Sequence, residues 1–234
     1  MTPVEAAVYM GIPNIQMIWL WRADAPEPLP SWRQFALPLN ALKRVVWSVA
    51  HGHGLSYTDH IFPLAAGSPN VTGVILDDFF TEQTDGRFTA LTDGELDALR
   101  QRLRLPDRRL DLWCVVYEQD LGKPIGPVLR NMDILGYFMW NSESVPHIAT
   151  HLDSLDRIAP GKPKVLGLYM WDYAKRLPMP MHLVRQQCET ALSMLKEGRI
   201  AGISFVASCI CDLELEAVEW TRQWIAGVAD QTIG

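Results

Sequence analysis

Short, continuous hydrophobic runs separated by helical patterns constrain the fold of this chain more than any other feature. Because the runs do not alternate with polar residues, they indicate parallel strands that are covered on both faces. Helical patterns lie between them, so the sequence predicts an α/β fold with a parallel sheet. Seven strands are predicted, at Asn14–Trp21, Arg44–Ala50, Gly73–Phe80, Leu110–Glu118, Ile134–Trp140, Val165–Asp172 and Gly202–Ser208.

The sheet is predicted to close into a barrel and not to stay open. No glycine-rich phosphate loop follows the first strand, which argues against a nucleotide-binding, doubly wound sheet. Polar and aromatic residues follow nearly every strand, and a closed barrel gathers all of these strand ends at one mouth. We therefore predict a TIM-type (β/α) barrel that forms a single domain over residues 1–234.

The first element of the chain is a predicted helix, since Thr2-Pro3-Val4-Glu5 forms a capping box with proline in the first turn. A (β/α) barrel begins with a strand. We therefore expect the seven visible strands to be the second to eighth of an eight-stranded barrel that lacks its first strand. A true seven-stranded barrel is the alternative. Either arrangement leaves two sheet edges to be covered, and a homodimer across the gap would cover them.

Composition restricts partners and cofactors. The net charge of −6 gives no basic footprint for nucleic acid. The four cysteines follow no zinc-ligand spacing and no disulfide framework, so reduced thiols are expected. We see no secretory signal and no apolar run long enough to span a bilayer. A cytoplasmic location and export followed by signal removal both stay open, and no cofactor, metal or membrane partner is expected.

Carboxylates end several of the predicted strands. Asp77 and Asp78 end one apolar strand, Glu118 ends the next, and Asp172 ends a later one. A carboxylate there is costly unless it is hydrogen-bonded or faces a polar cavity. Glycosidic cleavage uses one carboxylate as nucleophile or base and another as proton donor, whose pKa clustering and burial raise. We therefore predict Asp77, Glu118 and Asp172 as catalytic residues of a glycoside hydrolase.

Aromatic and polar side chains at the same strand ends indicate a sugar-binding surface. The chain has nine tryptophans, and sugar C–H faces stack on such rings. The predicted substrate is an oligosaccharide or a glycoside. The residues predicted to bind it are Trp19, Trp21, His51, His53, Asp78, Trp140, Asn141, Trp171 and Tyr173.

One segment carries a resemblance to a known group of proteins. Val71–Phe80 resembles the G-(I/V)-x-(F/L)-D-D-(Y/F)-F segment of glycoside-hydrolase-like TIM barrels, and more loosely the strand-four region of the α-amylase-type clan. In that clan a nucleophilic Asp ends strand four, an acid Glu ends strand five and a third Asp ends strand seven. With one strand added, the resemblance assigns these roles to Asp77, Glu118 and Asp172.

The resemblance also has a limit. The clan uses a His near strand three, where His51 and His53 lie, but Ile75 replaces its Arg and Trp171 replaces its usual His before the third Asp. The C-terminal third, from Tyr169 through Trp224, is similar to barrel proteins of gut and environmental bacteria. The resemblance therefore implies a bacterial, or metagenomic, carbohydrate-active protein.

Two other functions stay open. A metal-dependent barrel hydrolase or isomerase would use His51-Gly52-His53 with Asp77, Asp78 and Glu118 as nitrogen and oxygen ligands. A non-catalytic carbohydrate-binding barrel would follow if the gap leaves the carboxylates outside the roughly half-ångström tolerance that catalysis needs.

Overall fold

The computed structural model describes residues 1–18, 32–51, 55 and 57–231. Within these residues, seven strands form one sheet in the order β1-β2-β3-β4-β5-β6-β9, and β7 and β8 form a two-stranded sheet. The strands are β1 Asn14–Met17, β2 Arg44–His51, β3 Val71–Asp77, β4 Asp111–Tyr117, β5 Ile134–Phe138, β6 Lys164–Tyr169, β7 Trp171–Asp172, β8 Leu177–Pro178 and β9 Gly202–Val206.

Helices alternate with these strands along the chain. The α-helices are α1 Pro3–Met10, α2 Trp32–Ala36, α3 Thr58–Gly67, α4 Asp93–Arg102, α5 Gly126–Leu129, α6 Ile148–Ile158, α7 Met181–Lys196 and α8 Glu216–Val228. Four short 3₁₀ helices are described as well, at Leu37–Ala41, Glu118–Asp120, Ser142–His147 and Ser208–Ile210.

This order confirms the predicted class, a TIM-type (β/α) architecture with seven parallel strands. Each strand of the large sheet overlaps one of the predicted hydrophobic runs. Parallel strands that are buried on both faces produce such continuous runs of apolar residues in the sequence. The helix at the N-terminus is also confirmed. Thr2 Oγ1 accepts a hydrogen bond from Glu5 N at 3.3 Å, and the Glu5 carboxylate accepts one from Thr2 N at 2.7 Å.

The chain divides into two compact units, and the first comprises Pro13–Val115. Here β2 pairs in parallel with β1 on one side and β3 on the other. Val45, Trp47 and Val49 of β2 are fully buried. The β2–β3 register brings His51 opposite Asp77, so the last residues of these two strands end together.

The second unit comprises Met1–Ile12 and Val116–Gly234. Strand β6 pairs in parallel with β5 and β9, and it is buried along its whole length, whereas the edge strand β9 is half-buried. Helix α1 joins this unit by packing against α8, where the Arg222 guanidinium lies 5.0 Å from the centre of the Tyr9 ring.

Two glycines in β5 and β6 make room for an aromatic ring. A Cβ at Gly167 would lie 2.0 Å from Phe138 Cδ1, and one at Gly136 would lie 2.8 Å from Phe138 Cε2. Any larger residue at these positions would displace the ring. The glycines therefore let Phe138 lie over the face of both strands, with its ring 6.2 Å from that of Tyr169.

The end of the predicted strand Val165–Asp172 is wrong. Strand β6 ends at Tyr169, and after Met170 the chain enters a hairpin in which Trp171 and Asp172 pair antiparallel with Pro178 and Leu177. Asp172 therefore lies beyond the parallel sheet.

In the described part of the chain, no helix is both long enough and apolar enough to cross a membrane.

Candidate active site

The two neighbouring aspartates of the first unit have different environments. Asp77 is the last residue of β3 and is 8% exposed, so its carboxylate is held at the strand end. Asp78 follows with φ of 46°, a left-handed conformation that aspartate tolerates better than most residues. Its carbonyl accepts a hydrogen bond from Thr81 Oγ1 at 2.9 Å. Asp78 therefore makes the turn that ends the strand, and Asp77 is its terminal carboxylate.

Several predicted residues of this unit are not described. Trp19, Trp21 and His53 lie outside the described residues, as does the side chain of His51, whose backbone ends β2. Their predicted roles in substrate binding stay predictions.

In the second unit, Glu118 follows β4 directly and begins a 3₁₀ turn. This turn is fixed by the buried Asp120, whose carboxylate accepts hydrogen bonds from Tyr117 N at 2.9 Å and Lys123 Nζ at 2.7 Å. The Glu118 carboxylate is half-buried, and both of its oxygens lie 3.2 Å from Trp140 N. Ser144 Oγ lies 3.5 Å from Oε1. The carboxylate is thus positioned but still reaches solvent.

A row of aromatic rings lies beside this carboxylate. Trp140 is 41% exposed, and the centre of its ring lies 5.7 Å from that of Tyr117 and 5.9 Å from that of Tyr173. Tyr173 in turn lies 5.4 Å from Tyr169, which contacts Phe138. Ala174 N donates to Trp140 O at 3.2 Å, which ties the segment after β7 to the end of β5. The second unit therefore brings Glu118, Trp140 and Tyr173 together.

Tyr173 also has a thiol as a neighbour. Burial raises the pKa of Tyr173 to about 12, and the nearby Cys209 contributes to the shift. The phenol therefore stays protonated near neutral pH and can donate a hydrogen bond. Cys209 itself is exposed.

Asp172 is fully buried, and both of its oxygens are occupied. Oδ2 accepts from Ser142 N at 3.2 Å, and Oδ1 accepts from Lys175 N at 2.8 Å. Burial opposes its ionisation, but the hydrogen bonds from Ser142 and Lys175 outweigh burial and keep the pKa of this carboxyl below its usual value. Asp172 therefore joins the segment after β5 to the β7–β8 hairpin, and its predicted catalytic role stays a prediction.

Two further predicted residues lie near this junction. Asn141 caps the Ser142–His147 helix, since its side-chain oxygen accepts from Glu143 N at 3.0 Å. Trp171 is half-buried in β7, opposite Pro178. Asn141 thus has a structural role in the segment that carries Ser144.

Sequence reasoning missed a hydrogen-bonded pair behind this site. Tyr137 of β5 is fully buried, and its hydroxyl lies 2.7 Å from Nδ1 of His151 on α6. The two partners lie on different elements, strand β5 and helix α6, so the sequence alone did not show the pair.

Among the described residues, no group of three or more His, Cys, Asp and Glu side chains is arranged to hold a metal ion. The side chains of His51 and His53 lie outside the described residues, so the metal-dependent alternative stays a prediction.

The structure resembles solved glycoside hydrolases. The PgaB (BpsB) glycoside hydrolase domain from Bordetella bronchiseptica matches with a TM-score of 0.57 at 11% identity, over 94% of this chain and 90% of that one. An endo-β-mannanase/endo-β-glucanase from Prevotella bryantii matches with a TM-score of 0.52 at 11% identity, over 95% of this chain and 43% of that one. A family 5 glycoside hydrolase of the same species, in complex with a xyloglucan tetradecasaccharide, matches with a TM-score of 0.50 at 12% identity, over 96% of this chain and 86% of that one.

At these identities the likeness shows the fold alone, a TIM-like (β/α) fold. Comparison with protein-family models and with curated proteins finds no match. The closer resemblance of Val71–Phe80 to one clan stays a prediction.

The buried carboxylate of Asp172 gives a stability prediction. Asp172→Asn replaces one accepting oxygen with an amide group that cannot accept from Ser142 N or Lys175 N. We expect the free energy of unfolding to fall by about 2 kcal/mol at pH 7. The pKa of Asp172 is lower in the folded protein than in the unfolded chain, where it is about 4. The ionised carboxylate therefore stabilises the fold fully above pH of about 4, and this stabilisation is lost as the pH falls through the folded-state pKa.

Urea unfolding of both proteins at a series of pH values measures this difference, which should shrink below pH of about 4. Asp230→Asn, at an exposed position after α8, is the control and should match the wild type. Equal stability of the wild type and Asp172→Asn at pH 7 would contradict the structural role.

Proposed function

We propose that this protein hydrolyses glycosidic bonds of an oligosaccharide, with Glu118 as the group that donates and accepts the proton. The observation that carries the proposal is a half-buried carboxylate held by the backbone N–H of Trp140, beside the exposed ring of the same residue. One residue thus positions the acid group and offers a surface on which a sugar ring can stack.

In a retaining mechanism, Glu118 protonates the oxygen of the leaving sugar while a second carboxylate bonds to the anomeric carbon. Glu118 then takes a proton from the water that breaks this glycosyl–enzyme bond. Its carboxylate meets the geometric requirement of such a group, because it is fixed by hydrogen bonds while one side stays open to solvent. The phenols of Tyr117 and Tyr173 border the Trp140 ring and can hydrogen-bond to sugar hydroxyls.

The fold supports this class of reaction. The similar structures are glycoside hydrolases, and one of them holds a xyloglucan oligosaccharide. From this we infer that the substrate here is an oligosaccharide and not a single sugar. A row of three rings that reach the surface, Tyr117, Trp140 and Tyr173, suits a ligand with more than one ring.

The sequence also predicts Asp77 as the nucleophile. Asp77 is the last residue of β3 and is buried, which supports this proposal. Asp172 is the third carboxylate of the prediction, and its buried hydrogen bonds favour a role in holding the hairpin.

The first test is a screen for turnover of oligosaccharides and aryl glycosides, followed by Glu118→Gln on a substrate that responds. Loss of a general acid–base group should lower kcat/KM by about 10²- to 10⁴-fold. The loss should be smaller for aryl glycosides with a very acidic leaving group, because that group departs without protonation.

Glu143→Gln is the matched control. Glu143 lies two residues after Asn141, and its exposed carboxylate pairs with Lys175. It should keep wild-type turnover. Wild-type activity of Glu118→Gln on all substrates would refute the proposal, and tight oligosaccharide binding with no turnover would favour the carbohydrate-binding barrel.

Trp140→Ala tests the stacking surface separately from the acid group, because alanine keeps the backbone N–H that binds Glu118. We expect KM to rise about tenfold with little change in kcat, since stacking contributes about 1.4 kcal/mol to binding. Trp140→Phe should restore part of the affinity. Unchanged KM values for every substrate in Trp140→Ala would exclude this ring from the binding site.

Asp77→Asn tests the predicted nucleophile. Turnover should fall below detection because an amide cannot form the glycosyl intermediate or activate water. Circular dichroism and thermal unfolding should show an intact fold. Asp93→Asn, an exposed position at the start of α4, is the control in the same unit. Turnover equal to that of the wild type would remove Asp77 from the mechanism.

A further inference from the structure

Strand β9 of the second unit is an edge of the large sheet. It comes last in the sheet order, and among the described residues it pairs only with β6. The segment Gly202–Val206 contains no charged residue and no proline, and its register with β6 shows no bulge. Charged residues, prolines and bulges are the features by which soluble proteins keep an exposed edge from pairing. Strand β9 is therefore able to pair with a further strand.

The hydrogen bonds to β6 show which backbone groups of β9 face the open side. Met170 N donates to Val206 O at 3.4 Å, so Val206 directs its backbone polar groups towards β6. These directions alternate along a strand, and the N–H and C=O groups of Ile203 and Phe205 therefore point away from β6. Within the described part of the chain, these four groups have no hydrogen-bond partner. A strand added at this edge would satisfy all of them.

An apolar cleft lies beside the same edge, between β9 and helices α7 and α8. Ile203 and Phe205 line it from the strand, and the centres of the Phe205 and Trp224 rings are 6.2 Å apart. The cleft has a volume of about 200 Å³. Its other half-buried apolar side chains include Leu192, Leu195 and Val228. A partner strand at β9 would reduce the exposure of these side chains, which adds an apolar contribution to the pairing of the backbone.

Charged residues of opposite sign flank the two ends of β9. Residues 196–201, before the strand, carry two basic side chains and one acidic one, whereas residues 207–216, after it, carry three acidic side chains and no basic one. Lys196, Glu214 and Glu216 are exposed and have no ion-pair partner among the described residues. An antiparallel second copy would bring the basic end of each strand beside the acidic end of the other. The charges therefore favour a second copy of this chain as the partner.

We propose that β9 forms the interface of a homodimer, in which it pairs antiparallel with β9 of a second copy. A two-fold axis beside Ser204 places Ile203 opposite the partner subunit's Phe205, where the two residues exchange both backbone hydrogen bonds. All four open groups of each strand are then paired. The homodimer predicted from the sequence thereby has a defined interface, which does not depend on the catalytic role proposed for Glu118.

Cysteine cross-linking tests this register directly. Ser204 would face its own copy across the axis in a non-hydrogen-bonded pair, with Cα atoms about 4.5 Å apart, a separation that a disulfide can span. In a Cys209→Ser background, which removes the exposed native thiol, Ser204→Cys should form a disulfide-linked dimer under mild oxidation. Non-reducing gel electrophoresis measures it. Ser193→Cys, at an exposed position of α7, is the matched control and should not cross-link.

Ser204→Lys tests the interface in solution. Two lysines would face each other across the axis, and like charges directly opposite destabilise a strand pair. We expect the dissociation constant of the dimer to rise by about tenfold or more, as measured by sedimentation equilibrium. The average mass should fall towards the 26.4 kDa of one chain. Ser193→Lys should keep the wild-type dissociation constant, and circular dichroism should show an intact fold in both variants.

A wild-type protein that sediments as a monomer at every concentration overturns the proposal, and the edge would then be open to a strand of a different protein. A dimer in which Ser204→Cys cross-links no better than Ser193→Cys overturns it too, because the interface would lie elsewhere. If Ser204→Lys does not fold, the cross-linking result decides in its place. If no substrate is turned over, the proposed function fails, while the cross-link still decides the dimer.

Discussion

Carboxylates near the ends of apolar strands need hydrogen-bond donors, and backbone N–H groups supply them to Glu118, Asp120 and Asp172 in this protein. The N–H of Trp140 lies against both oxygens of Glu118. Asp172 receives the N–H groups of Ser142 and Lys175, and Asp120 receives that of Tyr117. Without these contacts the charges would be costly so close to the core. The carboxylates of Glu118, Asp120 and Asp172 therefore also hold the loops around the candidate site in place.

The degree of burial then separates the roles of these carboxylates. Asp120 and Asp172 are buried, and donors occupy their oxygens. Asp120 accepts from Tyr117 N and Lys123 Nζ of its own turn, whereas Asp172 accepts from Lys175 N of its hairpin and from Ser142 N of the segment after β5. Glu118 is only half-buried and lies beside the exposed ring of Trp140. A group that must exchange protons with a substrate needs this partial access, whereas a group that holds a hairpin does not. This difference in burial supports our proposal that Glu118 is the acid group.

The sequence predicted the strands well because continuous apolar runs mark buried parallel strands locally. It failed at Asp172, since Tyr169-Met170-Trp171-Asp172 continues the apolar pattern through the turn. The contact that shows the turn joins Asp172 to Ser142, which is thirty residues away. The Tyr137–His151 bond was missed for a similar reason, because β5 and α6 each carry half of it. Hydrogen bonds between residues of different elements depend on how those elements pack together, and a single sequence does not show that packing.

The most direct test is a crystal structure of Glu118→Gln with an oligosaccharide that the wild type cleaves. We predict that the glycosidic oxygen lies about 3 Å from the side-chain amide at position 118 and that a sugar ring stacks on Trp140. An oligosaccharide bound elsewhere, with position 118 and Trp140 both facing only solvent, would contradict the claim that these residues form the active site.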